Sequence, residues 1–213
     1  FVDQAFDNAL FVKDLGEAAR HIGRLGLLVG LSQAALKAAS PGVPDYYQGT
    51  ELWDFSLVDP DNRRPVDYAA RARLLERHGF DSSLLEDLES GAAKLHVIRE
   101  GLRLRREMPD LFHRPAYAPL LADGERAENI VAFALSAGAR RMVAVAPRLF
   151  ARLMEEGDLA PLGAKAWGDS RLPVPQGRYV NVLTGEERVA GADGVRLAEL
   201  LARFPVALLK LRP

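Results

Sequence analysis

Near Met108-Pro109 the periodicity of the chain changes, and few architectures accommodate both sides of that change. Before it, apolar residues recur at helical spacing. After it, short alternating runs are separated by turn residues. Leu28, Leu31, Ala35 and Ala38 share one face of a helix predicted over residues 2–39 and broken once. Gly23, Gly26 and Gly30 interrupt that helix. Each costs up to about 1 kcal/mol of helix propensity, so close backbone packing is expected to compensate. Pro41-Gly42 stops it, and a strand is expected over residues 43–48. Further helices are expected at residues 68–78 and 91–107. The second places Leu95, Ile98 and Leu102 on one face and Arg99, Arg103 and Arg106 on a solvated one. Beyond Pro109, residues 129–135 and 142–146 read as strands joined by Ser136-Ala137-Gly138. Residues 179–183 read as a strand ending at Thr184-Gly185, and residues 204–211 as a closing strand. Helices first and strands afterwards imply an α+β chain. Its boundary is expected between a mostly helical unit, 1–112, and an antiparallel β domain, 113–213.

Composition excludes more than it selects. A net charge of −1 leaves no electrostatic footprint for nucleic acid or an anionic membrane. The absence of cysteine removes disulfides, thiolate metal sites and a Cys nucleophile. The longest strongly apolar stretch runs from Leu25 to Leu31, against the ~20 residues a spanning helix needs. No Gly-x-Ser-x-Gly elbow, phosphate-cradling loop or His-Glu-x-x-His motif occurs. His21, His78, His96 and His113 are scattered and read as surface or helix-face residues. Asp59 and Asp61 could start a Ca²⁺ site, but Arg63-Arg64 opposes a cation there. Neither metal nor cofactor is expected. The chain opens at Phe1, directly into a helical pattern, which is expected of a segment of something longer.

One stretch is dense enough in chemistry to carry function. It runs Pro41-Gly42-Val43-Pro44-Asp45-Tyr46-Tyr47-Gln48-Gly49-Thr50-Glu51-Leu52 and continues to Leu57-Val58-Asp59-Pro60-Asp61-Asn62-Arg63-Arg64-Pro65. Helix, short strand and polar loop follow one another as in the last unit of a (β/α)8 barrel, where loops after the strands build the site. Aromatic rings suit the apolar faces of glucose, and Asp, Asn, Gln and Arg suit its hydroxyls. A turn stapled by its own ion pairs is the alternative reading of the same residues.

These motifs resemble maltooligosyltrehalose synthases, a branch of the α-amylase superfamily. The unbroken Leu57-Val58-Asp59-Pro60-Asp61-Asn62-Arg63-Arg64-Pro65-Val66 points to that branch, with weaker echoes in Leu104-Arg105-Arg106-Glu107-Met108-Pro109 and Val182-Leu183-Thr184-Gly185. The resemblance implies a helical end piece of a (β/α)8 barrel, with its last strand and flanking helices, followed by an antiparallel β-sandwich domain. It also implies a cytoplasmic enzyme that rearranges the reducing-end α-1,4 link of maltooligosaccharides to α,α-1,1 by intramolecular transglucosylation. Such barrels use two carboxylates, a nucleophile and an acid/base, after earlier strands. No catalytic residue is therefore assigned in this chain, and the chain alone is expected to be inactive. Arg63, Arg64, Asp61, Asn62, Gln48 and Glu51 are the expected substrate-binding residues, lining or bracing a sugar subsite. Tyr46 and Tyr47 should face opposite ways, and Trp167 and Tyr179 should belong to the β core. The expected partners are a maltooligosaccharide and the upstream part of the same barrel. The alternatives are another amylase-type hydrolase or glucanotransferase, and a non-catalytic carbohydrate-binding or structural module.

Overall fold

A computed structural model describes residues 1–76, 79–155 and 157–212. A short helix α1 (Val2–Phe6) precedes α2 (Ala9–Ala39), and the expected break falls between them. The Asn8 side chain caps α2 by accepting from the amides of Leu10 and Phe11, at 3.0 and 3.2 Å. Only the second half of α2 is buried, along Leu27, Leu28, Leu31, Ala34, Ala35 and Ala38. The glycines of α2 divide. The Trp53 ring lies where a Cβ on Gly30 would be, 2.7 Å away, whereas Gly23 and Gly26 have nothing within 4 Å. Of these three glycines, close packing compensates only at Gly30.

Helices α3 (Tyr68–Leu75), α4 (Ser83–Glu86), α5 (Ala92–Glu107) and α6 (Asp110–His113) follow. The last part of the helix expected over 68–78 includes Arg77 and His78, which lie outside the described residues. In α5, Leu95 and Ile98 are buried as expected, but Leu102 is exposed and Val97 and Leu104 face inward instead. The inward stripe is thus rotated from the one read in sequence, and Arg99 is half-buried beside Glu100 rather than solvated.

The second half is built on strands β1 (Ala116–Pro119), β2 (Ile130–Ala137), β3 (Arg140–Pro147), β4 (Arg171–Leu172), β5 (Gly177–Asn181), β6 (Glu187–Ala190), β7 (Val195–Arg196) and β8 (Ala207–Leu211). Short helices α7 (Gly163–Trp167) and α8 (Leu197–Leu200) lie between them. Six strands form an antiparallel sheet in the order β1-β2-β3-β8-β5-β6, and β4 pairs with β7 in a separate ribbon. Alternation sorts the sheet's side chains between two cores. Phe133, Leu135, Met142, Ala144 and Leu208 join α2 and α5 in one apolar cluster. Ala132, Ala134, Val143, Val145 and Leu209 join Trp167, Leu172, Tyr179, Val195 and Leu197 in the other. The second face of the large sheet is thus covered by a two-stranded ribbon and short helices. Trp167 and Tyr179 are fully buried, and each donates to a carbonyl, of Pro161 and Pro175 respectively, at 2.8 Å.

The strand expected over residues 43–48 is not formed. A strand exists only through a neighbour that exchanges backbone hydrogen bonds with it. Among the described residues no strand lies alongside this segment, and the sheet has no place for it.

Candidate functional site

Without a ladder, residues 43–48 are anchored at their ends by side chains. Arg105 of α5 donates to the carbonyls of Ala38, at 3.0 Å, Ser40, at 2.8 Å, and Gly42, with its guanidinium 4.2 Å from the centre of the Phe112 ring. These carbonyls belong to the end of α2 and the turn after it, where helical partners run out. Tyr46 turns inward beneath the Lys37 amine, and Tyr47 stays exposed, so the two tyrosines do face opposite ways. Burial pushes the Tyr46 phenol above its ordinary pKa. At the far end, the amide and hydroxyl of Thr50 both donate to the Tyr47 carbonyl, at 3.1 and 2.7 Å, closing a tight turn.

The polar loop then folds back on that turn. A single 3-10 turn, Asp61–Arg63, forms its tip. Asp61 accepts from the Leu57 amide at 2.7 Å and pairs with Arg64, while Arg63 pairs with Asp59. The ion-pair stapling suggested by the residue types is therefore present. Because the Arg63–Asp59 pair is largely exposed, it contributes little to stability. Asp54 accepts from the amide and hydroxyl of Ser56, and these bonds hold its carboxyl below the usual range.

Between turn and loop lies a cavity of about 390 Å³, with Gln48, Asp54, Asp61, Asn62, Arg64 and Arg71 in its wall and the rings of Trp53 and Phe55 at one side. The side-chain oxygen of Asn62 is buried and has no hydrogen-bond partner. A second groove, of about 480 Å³, adjoins it across Trp53 and is mainly apolar, with Gly23, Gly26, Gly30 and Tyr46 in its wall. There the Lys94 amine donates to the Leu52 carbonyl at 2.8 Å, and burial lowers its pKa. Among the described residues no cluster of metal-ligating side chains occurs.

Four of the six residues expected to bind substrate, Gln48, Asp61, Asn62 and Arg64, meet at the first cavity. The other two face elsewhere: Arg63 turns to Asp59, and the Glu51 carboxylate accepts from Arg71 at 3.0 Å. Asp54 and Arg71 line the cavity without having been singled out in the sequence. Asp54 adjoins the motif, whereas Arg71 sits on α3 and nothing in its local pattern betrays where it reaches.

No family model matches the chain. It is 36% identical over 209 residues to a curated Mycobacterium tuberculosis protein described as a maltooligosyl trehalose synthase, covering 98% of this chain and 24% of the relative. The structure of maltooligosyltrehalose synthase from Arthrobacter ramosus superposes with a TM-score of 0.78 and 38% identity, over 99% of this chain and 26% of that one. An Anoxybacillus α-amylase, at 16% identity and a TM-score of 0.54 over 86% of this chain and 32% of its own, shares the fold alone. The chain spans about a quarter of the length of the synthases it matches. In sequence and in fold, over nearly all its residues, it is similar to the C-terminal part of maltooligosyltrehalose synthases.

Proposed function

We propose that this chain is the C-terminal part of an enzyme that converts the reducing-end α-1,4 link of a maltooligosaccharide to an α,α-1,1 link by intramolecular transglucosylation. The likeness to the synthases over 98% of the chain carries this reading, and the polar cavity beside the 48–50 turn supports it. On this reading residues 1–112 complete a (β/α)8 barrel and residues 113–213 are its sandwich-type C-terminal domain. Residues 43–48 then pair as the last strand once their barrel neighbours are present. Phe11, Leu15 and Ile22 lie exposed along one side of the first half of α2, an apolar face that the rest of the barrel would cover.

Within the cavity, Gln48, Asp61, Asn62 and Arg64 hold sugar hydroxyls, while Arg63 and Glu51 brace the wall. The reacting carboxylates lie on earlier strands, outside this chain. The rearrangement requires that the released glucose, and not water, attack the glycosyl-enzyme, so a tight polar pocket favours that outcome. No helix among the described residues is long and apolar enough to cross a membrane. We place the enzyme in the cytoplasm, acting on a soluble glucan.

Incubating the full-length enzyme with maltopentaose tests the reading. Reducing ends should disappear while chain length is conserved, and residues 1–213 alone should give no turnover. A gain in reducing ends would assign the enzyme to the hydrolases.

A further inference from the structure

Arg71 lies 22 residues from Gly49 in sequence, yet its guanidinium holds the turn that Gly49 forms. Nη2 donates to the Gly49 carbonyl at 2.5 Å, Nε to the Glu51 carboxylate at 3.0 Å, and Nη1 to the Asp67 carbonyl at 3.0 Å. The side chain is 15% exposed, and its bonds to Gly49 and Glu51 are partly shielded from water. Gly49 and Glu51 belong to the turn after residues 43–48. Asp67 follows the polar loop and caps α3 by accepting from the Ala70 amide at 2.8 Å. One planar group therefore ties the exit of the loop to the turn it folds against.

We propose that Arg71 is a positioning residue that sets the gap between Gln48 and the Asp61–Arg64 loop, and with it the shape of the sugar cavity. The assignment rests on the proposed function. Two observations carry it. The ion pairs Asp59–Arg63 and Asp61–Arg64 stay inside the loop and cannot fix it to the turn. Gly49, moreover, has a φ of +90°, and a Cβ there would come within 3.3 Å of Val66 and 3.6 Å of the Arg71 guanidinium. Val66 and Arg71 both press on the turn. Arg suits this task because its rigid fork serves three acceptors in fixed directions, whereas a lysine ammonium is a point charge on a flexible stem. Removing it leaves the Gly49 carbonyl and the Glu51 carboxylate short of a donor in a half-buried wall.

The test uses the full-length enzyme, with Arg71→Ala and Arg71→Lys, on maltopentaose. Displacing cavity groups by a fraction of an ångström costs rate and lets water compete with the bound glucose. Both variants should lose tenfold or more in kcat/KM and release a larger share of free glucose relative to rearranged product. Millimolar guanidinium should partly restore the product ratio of Arg71→Ala. Should Arg71→Ala fail to fold, Arg71→Lys carries the comparison, with its melting temperature recorded alongside. A product ratio and KM equal to wild type in the folded variants would overturn the assignment, whatever the loss of stability. A wild-type enzyme that makes no α,α-1,1-linked product would instead overturn the functional reading. Wild-type rearrangement with unaffected variants removes only the role of Arg71.

Discussion

The antiparallel sheet and the polar segment 43–66 satisfy their backbones in opposite ways. In the sheet, β8 pairs with β3 on one side and β5 on the other, and its side chains enter both cores. Segment 43–66 has no ladder. The Arg71 guanidinium and the Lys94 amine meet carbonyls of Gly49 and Leu52, aspartates meet its amides, and Val43, Phe55, Leu57 and Val58 remain exposed. Burial of apolar area stabilises the first region, while a handful of charged side chains shapes the second. Substitutions in the two regions should therefore separate stability from activity.

The largest effect is expected in the sheet. Trp167→Ala should lower the unfolding free energy by about 3–5 kcal/mol in urea titration, because a fully buried ring and its bond to Pro161 are lost. A loss below about 1 kcal/mol would remove Trp167 from the core. Next comes the loop, in the full-length enzyme. Arg64→Ala should reduce kcat/KM tenfold, about 1.4 kcal/mol, and leave the unfolding free energy within about 0.5 kcal/mol of wild type. Arg63→Ala should do less, since Arg63 points to Asp59 and away from the cavity wall. Equal losses would erase that distinction, and unchanged kinetics in both would reduce the loop to scaffolding.

The smallest effect concerns the contact between α5 and the turn that follows β5. His96 on α5 lies buried with Nε2 2.7 Å from the Leu183 carbonyl and Nδ1 3.2 Å from an Arg99 nitrogen. A guanidinium can only donate, so Nδ1 accepts and Nε2–H donates, the neutral tautomer. Burial lowers its pKa in the folded protein. The unfolded chain, with a value near 6.5, thus takes up its proton first as pH falls. Stability linked to His96 is complete above about pH 6.5 and declines as pH drops through the folded value. Denaturation midpoints should fall more steeply from about pH 7 to about pH 5 in wild type than in His96→Gln. Equal slopes would show that His96 titrates alike in both states.

Much of this division was legible in the residues. The short runs 129–135 and 142–146, joined by Ser136-Ala137-Gly138, announced β2 and β3, and they are apolar on both faces because each strand lies between two cores. β1 and β6 were not foreseen. Both are edge strands, and with Tyr117 and Val189 exposed and Pro119 ending β1, they carry no burial pattern to read. The strand over 43–48 was read from its composition. Composition states a preference for extension but supplies no partner, and the described residues contain none. At the cavity, the dense motif disclosed Gln48, Asp61, Asn62 and Arg64, but Glu51 and Arg63 looked the same in sequence and are engaged elsewhere.

By itself, the sequence determined the buried stripe of α2, the succession of helices and strands, and the polar motif with its likeness to the synthases. Each of these is local, written in the spacing of neighbouring residues. Tertiary structure alone placed β8 between β3 and β5, carried Arg71 to a carbonyl 22 residues away, and carried Arg105 to one 67 residues away. Such contacts depend on how whole elements pack, and a one-dimensional pattern records which face is buried without naming what buries it.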